Sequence, residues 1–178
     1  MVKHKIPSVI KSLVLGICLG ILIKLFVLDI VHIRGSSMEP TFRDGDAVLI
    51  NKLAYGIVKP FGASVLCSWQ EPEAGDIVIY LHEGNLVIKR CVAVAAAPLD
   101  YSYNIGYTLT VNGQRFPLSE AQYENMAFAG RVPDGMILAV GDNPDASIDS
   151  RDYGFIPLYN VLARAVPPKK AGQKKADR

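Results

Sequence analysis

A serine in a turn-rich segment is the first side chain in this sequence whose setting suggests chemistry. The segment "GSSMEPTFRDGD" covers residues 35–46, follows an apolar stretch and carries Ser37. A serine hydroxyl is a weak nucleophile at neutral pH and needs a base within hydrogen-bonding distance. The three histidines are scattered through the chain, and none lies in a context that suggests such a base. The same small residues would also suit a plain linker, so the rest of the sequence must decide.

Lys89 is the candidate base. It lies in "NLVIKRCVAVAAA" (residues 85–97), where apolar neighbours indicate a buried strand. Burial disfavours the ammonium form and lowers the lysine pKa, at about 1.4 kcal/mol for each unit. Considered alone, a strand lysine is more often solvated. Because successive strand residues point to opposite faces, however, Lys89 and Arg90 cannot both face solvent or both face the core.

A third polar segment, "GDNPDASIDSRDYG" (residues 141–154), is rich in aspartates. Their spacing does not match a D-x-[DN]-x-[DN]-G calcium loop, so we expect no calcium. An ion pair between one of these aspartates and Arg151, with the hydroxyls of Ser147 and Ser150 nearby, fits the segment better. The chain has no Cys-x-x-Cys and no histidine pair at metal-ligand spacing, so we expect no zinc and no cofactor.

The N-terminal segment at 6–33 is apolar and predicts a membrane anchor. Its uncharged part, residues 12–23, falls short of the ~20 residues needed to span a bilayer. Lys11 and Lys24 must then reach the two interfaces, which allows a helix over about 7–25. The basic flank comes first and predicts a cytoplasmic N-terminus. A cleaved signal sequence is the alternative, but bulky residues ("KLFVLDIVHI") follow where a cleavage site would need small ones.

The rest of the chain predicts a mostly antiparallel β protein. Strand-like runs occur at 47–53, 76–81, 86–96, 107–111 and 136–140. Asn112-Gly113 indicates a tight hairpin, and Ser119 with Gln122 indicates a capped helix over about 120–128. We expect Cys67 and Cys91 to be two buried thiols, with a disulfide between them as the alternative.

This pattern divides the chain into five parts. We predict a cytoplasmic N-terminus (1–6), a transmembrane anchor (7–28), a catalytic β domain (29–97 and 133–166), a small inserted hairpin and helix segment (98–132), and a basic disordered tail (167–178). The net charge of +2, without a basic stripe in the body, argues against a nucleic-acid partner.

Four motifs, in order, resemble those of the bacterial type I signal peptidases. These are membrane-bound serine–lysine enzymes that remove signal peptides from exported preproteins. "SMEPTF" (37–42) is similar to the family's nucleophile motif, and "AGDIVIY" (74–80) to its Gly-Asp-Ile-Val strand. "VIKRCVAV" (87–94) is similar to the strand of the general base, and "GDNPDASIDSRDYGFIP" (141–157) to the Gly-Asp-Asn box. The resemblance implies the signal-peptidase type of β domain.

The resemblance also implies a role for each matched residue. Ser37 is the expected nucleophile, and Lys89 the base that takes its proton. Ser147 is expected to orient the lysine ammonium. The remaining supporting residues are Gly141, which lets the backbone pass closely, and Asp149 with Arg151, which brace the site. Four residues are expected to line shallow pockets that admit small side chains before the cut: Met38, Phe42, Val87 and Ile88.

The resemblance also implies the partners and the location of the protein, and two positions of the chain depart from the family pattern. The partners are signal peptides and the lipid bilayer, and we expect a monomer. The location is the bacterial cytoplasmic membrane, with a single span and the catalytic domain on the outer side. Gly35 stands where some relatives carry a serine that donates to the oxyanion, and "VAAAPLD" (94–100) replaces a Gly-Leu-Pro-Gly-Asp turn, which implies a different turn geometry.

Three alternatives stay open at this point. A self-cleaving repressor-type relative would be soluble and carry Ala-Gly or Cys-Gly before the serine, and no such dipeptide precedes Ser37. A non-catalytic, membrane-anchored binding module would be expected to lack the serine or the lysine. A specialised processing peptidase with few substrates would keep every motif.

Overall fold

The computed structural model describes residues 7–59, 65–103 and 106–167. It begins with one long helix, α1 (Ser8–Phe26), whose side chains are largely exposed apolar groups. By length and composition this helix is able to cross a membrane. The predicted helix over about 7–25 is confirmed to within one residue.

The described chain after α1 consists mainly of β-strands. They are β1 (Leu28–His32), β2 (Ala47–Asn51), β3 (Gly56–Val58), β4 (Val65–Ser68), β5 (Ile77–His82), β6 (Asn85–Val94), β7 (Asp100–Ser102), β8 (Tyr107–Val111), β9 (Gln114–Leu118), β10 (Met136–Val140), β11 (Ile156–Pro157) and β12 (Val161–Ala165). Two short α-helices, α2 (Glu120–Met126) and α3 (Ser150–Tyr153), and two 3-10 helices (Pro144–Ala146 and Leu158–Asn160) lie among the strands. The predicted mostly β fold is confirmed.

Seven of the strands form one antiparallel sheet in the order β1-β2-β12-β5-β6-β10-β11. The strand β1 lies at one edge of this sheet, and β6 is the fifth strand in the order. The segment with Ser37 follows β1 and Lys89 lies on β6, so the two candidate residues come from strands that are not neighbours. Alternation on β2 follows the usual inside–outside pattern, with Val48 and Ile50 buried and their neighbours more exposed. The buried residues on the two faces of β5, Ile77 with Ile79 and Val78 with Tyr80, belong to different core clusters.

The inserted segment forms a separate three-stranded sheet, β7-β8-β9. Asn112 and Gly113 connect β8 to β9, both with positive φ (50° and 76°), as a two-residue hairpin of the primed type requires. Ser119 caps α2, and its hydroxyl and the Gln122 side chain form the predicted capping box. Leu109 of β8 belongs to the same buried cluster as Leu138 of β10, so the insertion packs on the main sheet.

The two cysteines of the β domain lie in different environments. Cys91 is buried in β6, whereas Cys67 is exposed in β4, and both are free thiols. The prediction of two buried thiols is therefore right for Cys91 and wrong for Cys67. The strand β4 pairs only with β3 in the described part of the chain, so no further strand covers the Cys67 side chain. The predicted disordered tail lies outside the described residues from position 168 onward.

Candidate active site

The centre of the site is a contact between a serine and a lysine. The Nζ of Lys89 lies 2.7 Å from the Oγ of Ser37 and donates a hydrogen bond to it. Ser37 lies in the turn that follows β1, and Lys89 lies in the middle of β6. Only 5% of the Lys89 surface is exposed, so the inward-facing alternative holds. A serine hydroxyl and a buried amine at this distance can exchange a proton.

The environment of Lys89 shifts its protonation equilibrium towards the neutral amine. Burial lowers the pKa of Lys89 below the usual 10.5, because the ammonium form loses its hydration. The negative charge of Asp149 acts in the opposite direction, and the positive charge of Arg151 lowers the pKa further. Burial is the largest of these effects, and a lysine with a lowered pKa can serve as a general base.

The turn that carries Ser37 is anchored on both sides of the serine. Before it, Gly35 has φ of 80° and its N–H donates to Asp44 Oδ1 at 2.7 Å. After it, Met38 and Phe42 are buried, and the Phe42 N–H bonds to the Met38 carbonyl. These contacts hold the turn that carries the Ser37 hydroxyl against the sheet.

A second segment passes close behind the nucleophile. The Asn143 N–H donates to the Ser37 carbonyl at 3.0 Å, and the Asn143 side chain donates to the Ser36 carbonyl. At Gly141 a Cβ would lie 2.6 Å from the Ser37 carbonyl oxygen and would collide with the Ser147 hydroxyl. Glycine at 141 therefore gives the close backbone passage that the sequence predicts.

Asp149 is the fully buried hub of the supporting residues. It accepts hydrogen bonds from the Ser147 hydroxyl (2.6 Å), the Gly141 N–H (3.0 Å) and the Arg151 guanidinium (2.9 and 3.0 Å). Burial raises the pKa of Asp149, but the hydrogen bonds from these three partners outweigh burial and hold the pKa below 3.8. The predicted ion pair with Arg151 is present, and it keeps a negative charge near Lys89.

The structure gives Ser147 a different partner from the one expected. No hydrogen bond joins Ser147 to Lys89 within residues 7–59, 65–103 and 106–167; the hydroxyl donates to Asp149 instead. It still lies beside the nucleophile, because it borders Gly141. That Ser147 orients the lysine stays a prediction, and in this geometry it would act through Asp149.

Arg90 is a supporting residue to which the sequence pattern gave no role. Its guanidinium makes two hydrogen bonds to the Asp142 carboxylate, at 2.7 and 2.6 Å, and a longer one to Thr41. These contacts join β6, the segment after β10 and the nucleophile turn. The sequence did contain a signal for this role. Neighbouring strand residues point to opposite faces, so Arg90 lies beside the inward-facing Lys89 but points the other way, and its half-buried guanidinium needs an anion of its own.

The four predicted pocket residues do not lie in one place. Met38 and Phe42 are buried in one core cluster, and Ile88 packs against it. Val87 packs against the opposite cluster, which contains Tyr80. The alternation of β6 explains the separation, since neighbouring residues point to opposite faces. Met38, Phe42 and Ile88 therefore pack on one side of the sheet, whereas Val87 packs on the other. That they line substrate pockets stays a prediction.

A serine hydroxyl that accepts a hydrogen bond from a buried lysine, with no histidine hydrogen-bonded to either group among the described residues, suits a serine hydrolase that uses a lysine as its base. The family model described as signal peptidase, peptidase S26, matches residues 6–168, and the chain belongs to this family of serine endopeptidases.

Relatives and a solved structure give the extent of the similarity. A probable signal peptidase I-1 of Synechocystis sp. is 28% identical over 97% of this chain and 86% of its own length. A signal peptidase I of Buchnera aphidicola (subsp. Baizongia pistaciae) is 35% identical over 82% of this chain and 70% of its own. The crystal structure of a signal peptidase I from Enterococcus faecalis V583 is 25% identical, with a TM-score of 0.39 over 55% of this chain and 98% of that one.

Proposed function

We propose that this chain removes N-terminal signal peptides from exported preproteins, with Ser37 as the nucleophile and Lys89 as the general base. The observation that carries the proposal is the 2.7 Å contact between the Ser37 hydroxyl and a buried lysine. The family supports the substrate class, and the dyad is inferred from the geometry.

The reaction follows from where protons can move. Neutral Lys89 takes the proton of the Ser37 hydroxyl as Oγ attacks the scissile carbonyl carbon, and the carbonyl electron pair moves to its oxygen. Collapse of this tetrahedral intermediate breaks the C–N bond, and the Lys89 ammonium gives its proton to the leaving amine. Lys89 then takes a proton from water as the water oxygen attacks the ester carbonyl carbon. Collapse of this second intermediate breaks the bond to Ser37 Oγ, and the Lys89 ammonium returns its proton to that oxygen.

The oxyanion needs a donor that is not already engaged. In the part of the chain that the structure describes, the Ser37 N–H has no hydrogen-bond acceptor, and Gly35 offers no side-chain donor. We infer that the Ser37 N–H stabilises the oxyanion. A single donor of this kind is worth about 3 kcal/mol of transition-state stabilisation.

Two features of the sheet suit an extended peptide with small side chains. Residues 86–89 of β6 pair with β5 but not with β10, so one backbone edge of β6 stays open beside Lys89. An extended substrate segment can add to such an edge as a strand. Met38, Phe42 and Ile88 already fill the adjacent cluster, which favours small residues such as alanine at the first and third positions before the cut.

The position of the site suits a membrane enzyme. The strand β1 begins two residues after α1 ends, and Ser37 follows β1 closely, which keeps the nucleophile near the end of the proposed span. We infer a single-pass protein of the bacterial cytoplasmic membrane, with its N-terminus in the cytoplasm and its β domain outside. Holding enzyme and signal peptide in one membrane raises their effective concentration. We expect the enzyme to act as a monomer.

A cleavage assay with matched variants tests the proposal. The full chain in detergent would be given a preprotein with an Ala-x-Ala site, and N-terminal sequencing would locate the cut. We expect cleavage after the second alanine by the wild type and by Ser36→Ala, and none by Ser37→Ala. Uncut preprotein with the wild type, or cutting by Ser37→Ala, would refute the assignment. Replacing the alanine before the cut with leucine should block cleavage.

A further inference from the structure

A cavity of about 340 Å³ lies between the end of α1 and the main sheet, away from Ser37 and Lys89. Its size falls in the range of about 300–1,000 Å³ that is common for small-molecule sites. Apolar side chains from α1 and from several strands form most of its wall. Among them are Leu25, Val31, Ile50, Ile79, Leu86 and Leu162.

The charged groups at this cavity are mostly cationic. Lys24, Lys52 and Lys59 line it, together with Asp29. The Lys52 ammonium is already engaged, because it lies 2.8 Å from Asp29 Oδ2 and donates to the Lys24 carbonyl. Within the described residues, no salt bridge joins a carboxylate to Lys24 or Lys59, so the three lysines and one aspartate leave two more positive than negative charges at the cavity.

The cavity lies where a membrane surface would meet the β domain. Lys24 belongs to the last turn of α1, which places it at the interface if α1 spans the bilayer as proposed above. Exposed apolar side chains of the membrane-proximal elements, Leu28, Ile30 and Leu86, lie on strands at the same end. A phosphate group at the depth of Lys24 and hydrocarbon beyond it are what the bilayer offers there.

We propose that this cavity binds one anionic phospholipid, with its phosphate between Lys24 and Lys59 and part of an acyl chain against the apolar wall. This inference rests on the proposed membrane location of α1. A signal peptide's apolar segment suits the site less well, because it has no negative charge to meet the two lysines. Free phosphate would satisfy the lysines but would leave the apolar wall without a partner.

Native mass spectrometry of the full chain in detergent tests this binding without reference to catalysis. The protein would be titrated with dioleoyl phosphatidylglycerol and, separately, with the zwitterionic dioleoyl phosphatidylcholine. We expect a one-to-one complex with phosphatidylglycerol that persists at voltages at which phosphatidylcholine is lost. Lys24→Gln/Lys59→Gln should weaken phosphatidylglycerol binding about 30-fold, from about 1 kcal/mol for each lysine near the surface and 1.4 kcal/mol for each factor of ten.

A matched control keeps the result specific. Lys11→Gln/Arg115→Gln removes the same charge at the opposite flank of α1 and on the exposed strand β9, and it should leave the affinity within about twofold. Equal weakening by both double variants would overturn the site, as would equal retention of the two lipids. If inorganic phosphate at millimolar concentration displaced phosphatidylglycerol, the apolar wall would contribute nothing to the affinity. That result would overturn the proposed contact with the acyl chain.

Cleavage of a preprotein in detergent, measured on the same samples, separates the two proposals. We expect the lysine double variant to keep wild-type cleavage while losing the lipid, since neither lysine contacts Ser37 or Lys89. An active wild type that retains no phosphatidylglycerol would refute the lipid site and leave the peptidase assignment standing. A wild type that retains the lipid but cleaves nothing would support the lipid site and refute the peptidase assignment.

Discussion

Replacing Arg151 with methionine should destabilise the β domain far more than an ordinary arginine substitution. The guanidinium is 2% exposed and makes two hydrogen bonds to Asp149, which is itself fully buried. Removing one partner of a buried ion pair costs about 3–5 kcal/mol, since the other charge is left without compensation. Arg151 also donates to the carbonyls of Pro117 and Pro144, so the variant loses links to the insertion and to the turn after β10.

The pH dependence gives this prediction a definite sign. In the wild type the pKa of Asp149 lies below 3.8, so its ionised form adds stability above that pH, and this stability is lost as the pH falls through the folded-state pKa. In Arg151→Met, burial without the guanidinium should raise the pKa of Asp149 above its unfolded value. The variant then gains stability relative to the wild type as the pH is lowered from about 7 to about 5.

Urea unfolding in mild detergent, followed by far-UV circular dichroism and by the fluorescence of Trp69, the chain's single tryptophan, measures both effects. Arg115→Met is the matched control, since Arg115 is exposed on β9 and should change stability by no more than about 0.5 kcal/mol. Suppose that Arg151→Met lowers the free energy of unfolding by less than about 1 kcal/mol, and that its difference from the wild type does not shrink at lower pH. The ion pair would then not stabilise the fold in the way described. In a double-mutant cycle with Asp149→Asn, the two changes should not be additive.

Two further substitutions test other parts of the site, and a labelling experiment tests the packing of the core. Gly141→Ala should lower kcat about 100-fold. The added methyl group must displace the Ser147 hydroxyl or the nucleophile turn, and misplacement of reacting groups by about 1 Å has an effect of this size. An unchanged kcat in steady-state cleavage would contradict the close backbone contact at Gly141. Arg90→Lys should lower kcat with little change in KM, because one ammonium cannot replace the bidentate contact that joins β6 to Asp142 in the segment after β10. A change in KM alone would indicate that Arg90 contacts the substrate instead. Maleimide should label the exposed Cys67 rapidly in the folded protein and leave Cys91 unlabelled, because burial raises the pKa of Cys91 to about 12. Peptide mapping would locate the label, and rapid labelling of Cys91 would contradict its position in the core.

Local patterns in the sequence predicted most of the secondary structure. The hairpin at Asn112-Gly113 and the capping box of Ser119 with Gln122 depend only on neighbouring residues, and both are present. The strand predicted at 86–96 ends earlier, at Val94, because Ala96 adopts φ of 66° and turns the chain. An alanine gives no advance signal of a left-handed conformation, which normally favours glycine.

Contacts between distant segments could not be read from local patterns. Ser37 and Lys89 are 52 positions apart, and only the motif order suggested that they meet. The exposure of Cys67 depends on which strands cover β4, and the partner of Ser147 depends on where Asp149 is buried. Such features follow from strand order and packing, which a one-dimensional pattern does not contain.

The pH profile of cleavage tests the central claim, proton transfer from Ser37 to a neutral Lys89, most directly. Values of kcat/KM for a peptide substrate would be measured from about pH 6 to about pH 11 for the wild type, Lys89→Ala and Lys52→Ala, the last replacing a lysine outside the site. The wild-type rate should rise with pH to a plateau, with an apparent pKa below 10.5 because burial disfavours the ammonium form. Lys52→Ala should keep that profile, and Lys89→Ala should lose activity at every pH. Cleavage by Lys89→Ala with the same pH profile as the wild type would contradict the claim.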